Sequence, residues 1–211
     1  MKIMTVIEKL KKYGIRGAWT FFCHRVIKTY LIKAHYLRLD INSARIEELM
    51  KGFDLDVKEL SYDDFLKGDS NVFQGKKMEL YKKRFQDSTY KAYGIIENGR
   101  LLYSTWISYY HLGMSIETKP VFLAPNEGYL EDSYCDPIAR GRGLHSKMNN
   151  YRINKIYESG RNRAIAIVQE GNTPAFKAQF KSGMEDIGTF YHGYILGRKI
   201  NTLKKEKFDE K

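Results

Sequence analysis

The sequence predicts an α/β (α+β) fold, a sheet flanked by helices, and three stretches carry that expectation. Residues 129–150, YLEDSYCDPIARGRGLHSKMNN, read as a largely buried strand ending in Cys135, a turn at Asp136-Pro137, the loop Arg140-Gly141-Arg142-Gly143, and a helix. Residues 90–108 hold Asn98-Gly99 between two apolar, aromatic-rich runs, the strongest short hairpin signal in the chain. Residues 163–170 contain Ala-Ile-Ala-Ile-Val, which suits a strand buried on both faces. The helix expected over 173–182 follows, with Asn172 at its cap and Pro174 in its first turn.

The remaining elements fall in place around these. Residues 1–28 read as one or two basic amphipathic helices broken near Gly14, with Ile3, Val6, Ile7 and Leu10 on one face and Trp19, Phe22, Val26 and Ile27 on another. Residues 29–41 read as a strand, 45–51 as a short helix, 53–60 as another strand, and 62–67 and 76–86 as two helices around a loop. Residues 111–127 lack a period and read as a surface connection with one short strand at 121–124. Residues 190–198 give the last strand. The expected organisation is a basic extension over 1–50, the main domain over 51–200 and a mobile basic tail over 201–211.

Composition bounds the function classes. With 211 residues, 43% hydrophobic and 29% charged, the chain suits one globular domain with an extension. The net charge of +11 is unevenly spread, since residues 1–38 carry six Lys and three Arg against a single Glu. Such a segment fits an anionic membrane surface, or packs on the main domain and exposes a basic face; both readings stay open. No nucleic-acid motif accompanies the charge, so a nucleic-acid partner is not expected. Cys23 and Cys135 suggest no disulfide framework, and no secretory pattern is seen, so the expected location is cytoplasmic, peripheral at the inner membrane face if the N-terminus binds lipid. The apolar run 17–23 is too short to span a bilayer. No His and Cys spacing suggests a metal site.

The glycine loop at the start of a helix offers free N–H groups to an anion, and a pyrophosphate is the natural guest. The helix after it carries Leu144, Met148, Tyr151 and Ile156 with Lys147, Arg152 and Lys155 between them, so one face is expected to pack and the other to stay basic. The whole run, Cys-Asp-Pro, two residues and then RGRG-Leu, resembles the acetyl-CoA-binding segment of the GNAT superfamily of N-acyltransferases. Asn172-Thr-Pro-Ala175 to Gly183-Met184 is similar to that family's Asn-x-x-Ala…Gly-Phe helix, with Met184 in the Phe place.

The resemblance, covering roughly residues 50–200, implies a mostly antiparallel sheet whose fourth and fifth strands, here 129–135 and 163–168, splay apart around the pantetheine of acetyl-CoA. It implies that the main chain of Ser133, Tyr134 and Cys135 meets pantetheine. It further implies that the N–H groups of Arg140, Gly141, Arg142, Gly143, Leu144 and His145 hold the pyrophosphate, and that Asn172 and Phe176 face the cofactor. Direct acetyl transfer to a primary amine is expected, with Glu131 or Asp132 as base; strand alternation puts the two on opposite faces. The family's frequent Tyr acid is replaced by Gln179, which cannot serve as one. Tyr134, Tyr191 or His192 takes that role, or the thiolate leaves unassisted. His145 bonds to phosphate if protonated, or sits on the helix surface. Cys135 reads as a buried strand thiol rather than a nucleophile.

The functional expectation is an acetyl-CoA-dependent N-acetyltransferase acting on a small-molecule amine, such as an amino sugar or another cell-envelope precursor. A non-catalytic acyl-CoA-binding module, a peripheral membrane protein and a longer acyl donor remain as alternatives.

Overall fold

The computed structural model describes residues 14–17, 19, 20, 22, 23, 27, 29–112 and 121–205. Most of the amphipathic segment 1–28 and the tail 206–211 therefore lie outside the described residues.

In chain order the elements are β1 (Tyr30–Asp40), α1 (Ser43–Met50), β2 (Lys58–Glu59), α2 (Tyr62–Phe65), α3 (Gly75–Phe85), β3 (Tyr90–Glu97), β4 (Arg100–Ser108), β5 (His111–Leu112), β6 (Val121–Phe122) and β7 (Glu127–Cys135). A 3₁₀ turn (Pro137–Ala139), α4 (Leu144–Glu158), β8 (Arg163–Gln169), α5 (Thr173–Lys181), β9 (Glu185–Ile195) and β10 (Arg198–Lys205) follow. Eight strands form one sheet in the order β10-β9-β1-β8-β7-β4-β3-β2, and β5 and β6 pair separately. Every ladder in the large sheet is antiparallel except β7–β8.

Alternation along the strands sorts the core into two faces. Leu130 of β7, Ala164 and Ala166 of β8 and Leu37 of β1 pack with Leu49 of α1 and Met148, Ile153 and Ile156 of α4. On the other face, Trp106 and Leu101 of β4 meet Phe65 of α2 and Met78 and Tyr81 of α3. Beside them Tyr129, Ile165, Tyr36 and Phe190 are covered by Leu112 of the small sheet.

Four expectations are corrected by this topology. The strand assigned to the N-terminal extension is β1, and it lies inside the sheet between β8 and β9, so the main domain does not begin at residue 51. Its apolar run is long enough to be buried on both faces, with Ala34, Tyr36, Leu37 and Leu39 all in the core. The tail expected from residue 201 is ordered through Lys205 as β10, paired along β9. The strand expected over 53–60 shrinks to two residues, Lys58–Glu59, while β9 begins at Glu185 rather than at Phe190.

The feature that positions the site is the divergence of β7 and β8. They pair from Glu127–Arg163 to Leu130–Ala166 and no further, although both strands continue. Just beyond that last pair β7 bulges: Trp106 faces Glu131 and Ser104 faces Tyr134, so Asp132 and Ser133 share one partner residue on β4. Asp132 has φ of 39°, the left-handed conformation such a bulge uses.

Candidate active site

The divergence opens a cleft of about 910 Å³, lined by residues 130–135 of β7, 167–169 of β8 and the first turns of α4 and α5. Along Glu131–Cys135 the β7 edge facing β8 makes no ladder bond to it, which leaves main-chain donors and acceptors for an extended guest.

The loop before α4 is set by Asp136, which is fully buried. It accepts from Ile138 N (3.1 Å) and from Arg100 Nε (3.0 Å) and Nη2 (2.8 Å). Burial alone would push its carboxyl up, but these donors hold it below the usual range. Gly141 (φ 81°) and Gly143 (φ 72°) then turn the chain in the left-handed region; a Cβ on either would meet nothing within 4 Å, so conformation and not space calls for glycine. Gly143 is the N-cap of α4 and supplies no side-chain bond, so the first N–H groups of a fifteen-residue helix face the cleft mouth without partners inside the helix.

The residues singled out in the sequence divide as follows. Ser133, Tyr134, Cys135, Arg140, Gly141, Gly143, Leu144, His145 and Asn172 all line the cleft. Leu144 does so beside a side chain buried in the core, and Asn172 caps α5 by accepting from Ala175 N at 3.3 Å. The Arg142 side chain is held away from the cleft by a two-pronged pair with Glu97 at the end of β3, at 3.0 and 2.7 Å, a pair that leaves the main-chain N–H of the loop untouched. Phe176 turns to the His35 ring (4.5 Å) and Phe180 (4.6 Å) and is not part of the lining. Tyr191 and His192 sit on β9, three strands from β7, and neither lines the cleft. Cys135 carries a thiol whose pKa burial raises, against the nearby Arg140, so it is not an activated nucleophile.

His145 also departs from its expectation. It is neither on the surface nor a charged phosphate ligand: its Nδ1 lies 2.9 Å from the Tyr103 hydroxyl, and burial, aided by Arg152, lowers its pKa to about 4, so it stays neutral.

The bulge changes the carboxylates too. Instead of pointing to opposite faces, Glu131 and Asp132 both bind one arginine, Arg84 of α3. Arg84 Nη2 is in direct contact with Glu131 Oε1, while Nη1 donates to Asp132 Oδ2 at 3.1 Å. Asp132 also accepts from the Tyr81 hydroxyl at 2.9 Å, and Lys77 stands 3.7 Å away. Glu131 is 5% exposed and its Oε2 has no partner. Burial raises its pKa to about 8, with Arg84 pulling down and Asp132 pushing up. Tyr134 packs edge-on against Phe73 with a buried, unpartnered hydroxyl whose pKa burial raises, so it keeps its proton.

Sequence reasoning missed Arg84 and Arg152. Arg84 follows Met78 and Tyr81 at intervals of three, in phase with the buried stripe of α3. Arg152 lies four residues from both Met148 and Ile156, which places it on the packed face of α4 and not on the basic face expected for it; it is 1% exposed. Among the described residues no group of three or more His, Cys, Asp or Glu is placed to hold a metal, and no helix is long and apolar enough to cross a membrane.

No family model and no curated protein sequence matches the chain. Solved structures do. A protein from Novosphingobium aromaticivorans assigned to the GNAT family of acetyltransferases superposes with a TM-score of 0.51 at 12% identity, over 78% of this chain and 64% of its own; the chain thus spans under two thirds of that protein. A Staphylococcus epidermidis protein of unknown function gives a TM-score of 0.55 at 12% identity, over 90% and 78%. The GCN5-related glucosamine N-acetyltransferase region of a fungal multi-domain GH3 β-N-acetylglucosaminidase gives 0.51 at 14% identity, over 84% of this chain and 22% of that one. The splayed β7–β8 pair, the uncapped helix after it and these superpositions agree, and the chain has the GNAT acetyltransferase fold.

Proposed function

We propose that the protein is an N-acyltransferase that passes an acetyl group from acetyl-CoA directly to a primary amine. The observation that carries this reading is the β7–β8 divergence opening onto the uncapped N-terminus of α4, a slot and an anion site in one cavity. The pyrophosphate would sit on the N–H groups of residues 141–145, with Arg140 beside it. Pantetheine would run along the unpaired edge of Ser133, Tyr134 and Cys135, and Asn172 would face it across the cleft.

Glu131 is the base in this scheme. Its free Oε2 takes a proton from the amine as nitrogen adds to the thioester carbonyl. A raised pKa suits that task, because the ionised carboxylate is a stronger base than an exposed one. Asp132, held by Tyr81, Arg84 and Lys77, keeps Arg84 shared and so moderates its pull on Glu131. Tyr134 holds a proton at the cleft wall.

The acceptor would be a small amine, and an amino sugar is favoured by the glucosamine-acetylating region among the structural neighbours. The exposed, stacked rings of Trp19 and Phe22 (5.8 Å), within the basic N-terminal segment, support an acceptor at a membrane surface. Gln179, at the acid position of the resembled family, favours a second reading, a non-catalytic acyl-CoA-binding module. The test is turnover of acetyl-CoA over a panel of amino sugars and other primary amines. Acetylated product with the parent, reduced in Glu131→Gln, supports the enzyme; CoA binding without turnover across the panel supports the second reading.

A further inference from the structure

Arg152 is a buried cation without a buried anion. Its Nη1 donates to the carbonyl oxygens of Trp106 (3.4 Å) and Glu131 (3.3 Å), its Nη2 contacts Asn149 Oδ1, and its Nε has no partner. Among the described residues no carboxylate lies within ion-pair reach of it, in contrast to Arg84. Removing a guanidinium from water without pairing it is strongly unfavourable unless another anion arrives.

The place of that anion follows from the fold. Arg152 lines the cleft and is bonded to the carbonyl of Glu131, the residue next to the last β7–β8 pair, so it stands at the closed end. Along α4 the Arg152 backbone is eight residues past Leu144, about 12 Å of helix rise from the N–H groups that suit the pyrophosphate. A pyrophosphate held at the helix start leaves the closed end to another group. Other groups lining the cleft near it are also unsatisfied: His145 Nε2, and Gln179 Oε1, whose amide has no titratable proton to give.

We infer that Arg152 holds the CoA thiolate formed when the thioester breaks, an assignment that rests on the acetyl-transfer reading. Acetyl-CoA brings no anion to the closed end; the reaction makes one there. The neutral amine's lone pair forms the C–N bond, its proton passes to Glu131, and the C–S bond breaks with both electrons remaining on sulfur. The sulfur leaves as thiolate against the guanidinium, which keeps its own proton, and is protonated by water after release. No proton donor at Gln179 is required.

The test compares CoA with desulfo-CoA by titration calorimetry from neutral to alkaline pH, and follows the thiolate absorbance of CoA bound to the parent. The expected results are a bound thiol titrating below the value of about 8.5 for a free thiol, and roughly tenfold tighter binding of CoA than of desulfo-CoA once it ionises. Arg152→Met should abolish the preference and Arg152→Lys should keep part of it. A bound thiol that titrates like the free one, or a preference retained in Arg152→Met, overturns the inference, and the parent measurement stands even if a variant fails to fold. A preference for a dicarboxylic acyl-CoA over acetyl-CoA that Arg152→Met removes would overturn it too, by assigning the anion to the acyl chain. If neither CoA nor desulfo-CoA binds the parent, the donor reading itself fails.

Discussion

Arg84 and Arg152 are buried to nearly the same depth, 4% and 1% exposed, yet their surroundings are opposite. Arg84 comes from α3 and is held by two carboxylates, with the rings of Tyr90 and Trp106 5.3 and 5.2 Å from it. Arg152 comes from α4 and is held by carbonyls and one amide. The difference teaches that one positive charge is satisfied by the protein itself and the other waits for a ligand. A paired buried charge fixes geometry, here that of Glu131 and Asp132 at the bulge; an unpaired one is a candidate for a functional role, here the one proposed for the thiolate.

Stability measurements break this comparison most severely if it is wrong. Above about pH 8, where Glu131 is ionised, Arg84→Met should cost about 3–5 kcal/mol in denaturant unfolding, because it strands Glu131 as a buried carboxylate. Arg152→Met should stay within about 1 kcal/mol of the parent, since the methionine removes a charge that had no counter-ion. Equal losses would mean that both arginines are structural.

Next in size is the effect of Glu131→Gln on rate, a fall on the order of a hundredfold in kcat/KM. The sign with pH is fixed by the base role. The parent's rate should rise as pH passes through about 8 and the carboxylate ionises, and the variant should lose that limb. Stability should move the other way. The folded state retains a proton that the unfolded chain releases near 4.5, so this group's contribution falls as pH rises from there to about 8.

A smaller effect sharpens the loop. Gly143→Ala forces a Cβ into φ of 72° and should cost about 1–2 kcal/mol. Smallest of all, Glu97→Ala frees Arg142 from an exposed, solvent-screened pair and should leave the thermal or denaturant unfolding transition essentially where it is in the parent.

The two arginines also mark what the sequence could disclose. Features written in neighbouring residues were legible: the Asn98-Gly99 hairpin, the strand-loop-helix around Gly141 and Gly143, and the apolar β8 followed by the Asn172 cap of α5. What required a partner from elsewhere was not. The position of β1 depends on which strands accept it, and both of its neighbours lie more than 120 residues away. The Asp132 bulge overrides alternation through a single positive φ that Glu-Asp-Ser does not announce. The Arg142 side chain is turned outward by Glu97, a partner from another part of the chain, and the burial of Arg152 follows its phase with Met148 and Ile156 rather than its charge.

The account stands most directly on whether the cleft between β7 and β8 holds the donor. Calorimetric titration of acetyl-CoA into the parent and into an Arg140→Ala, Gly143→Trp double variant, with folding of both checked by circular dichroism, tests it. The account predicts binding on the order of micromolar in the parent and its loss in the folded variant. Absence of binding in the parent, or equal binding in the two, would contradict it.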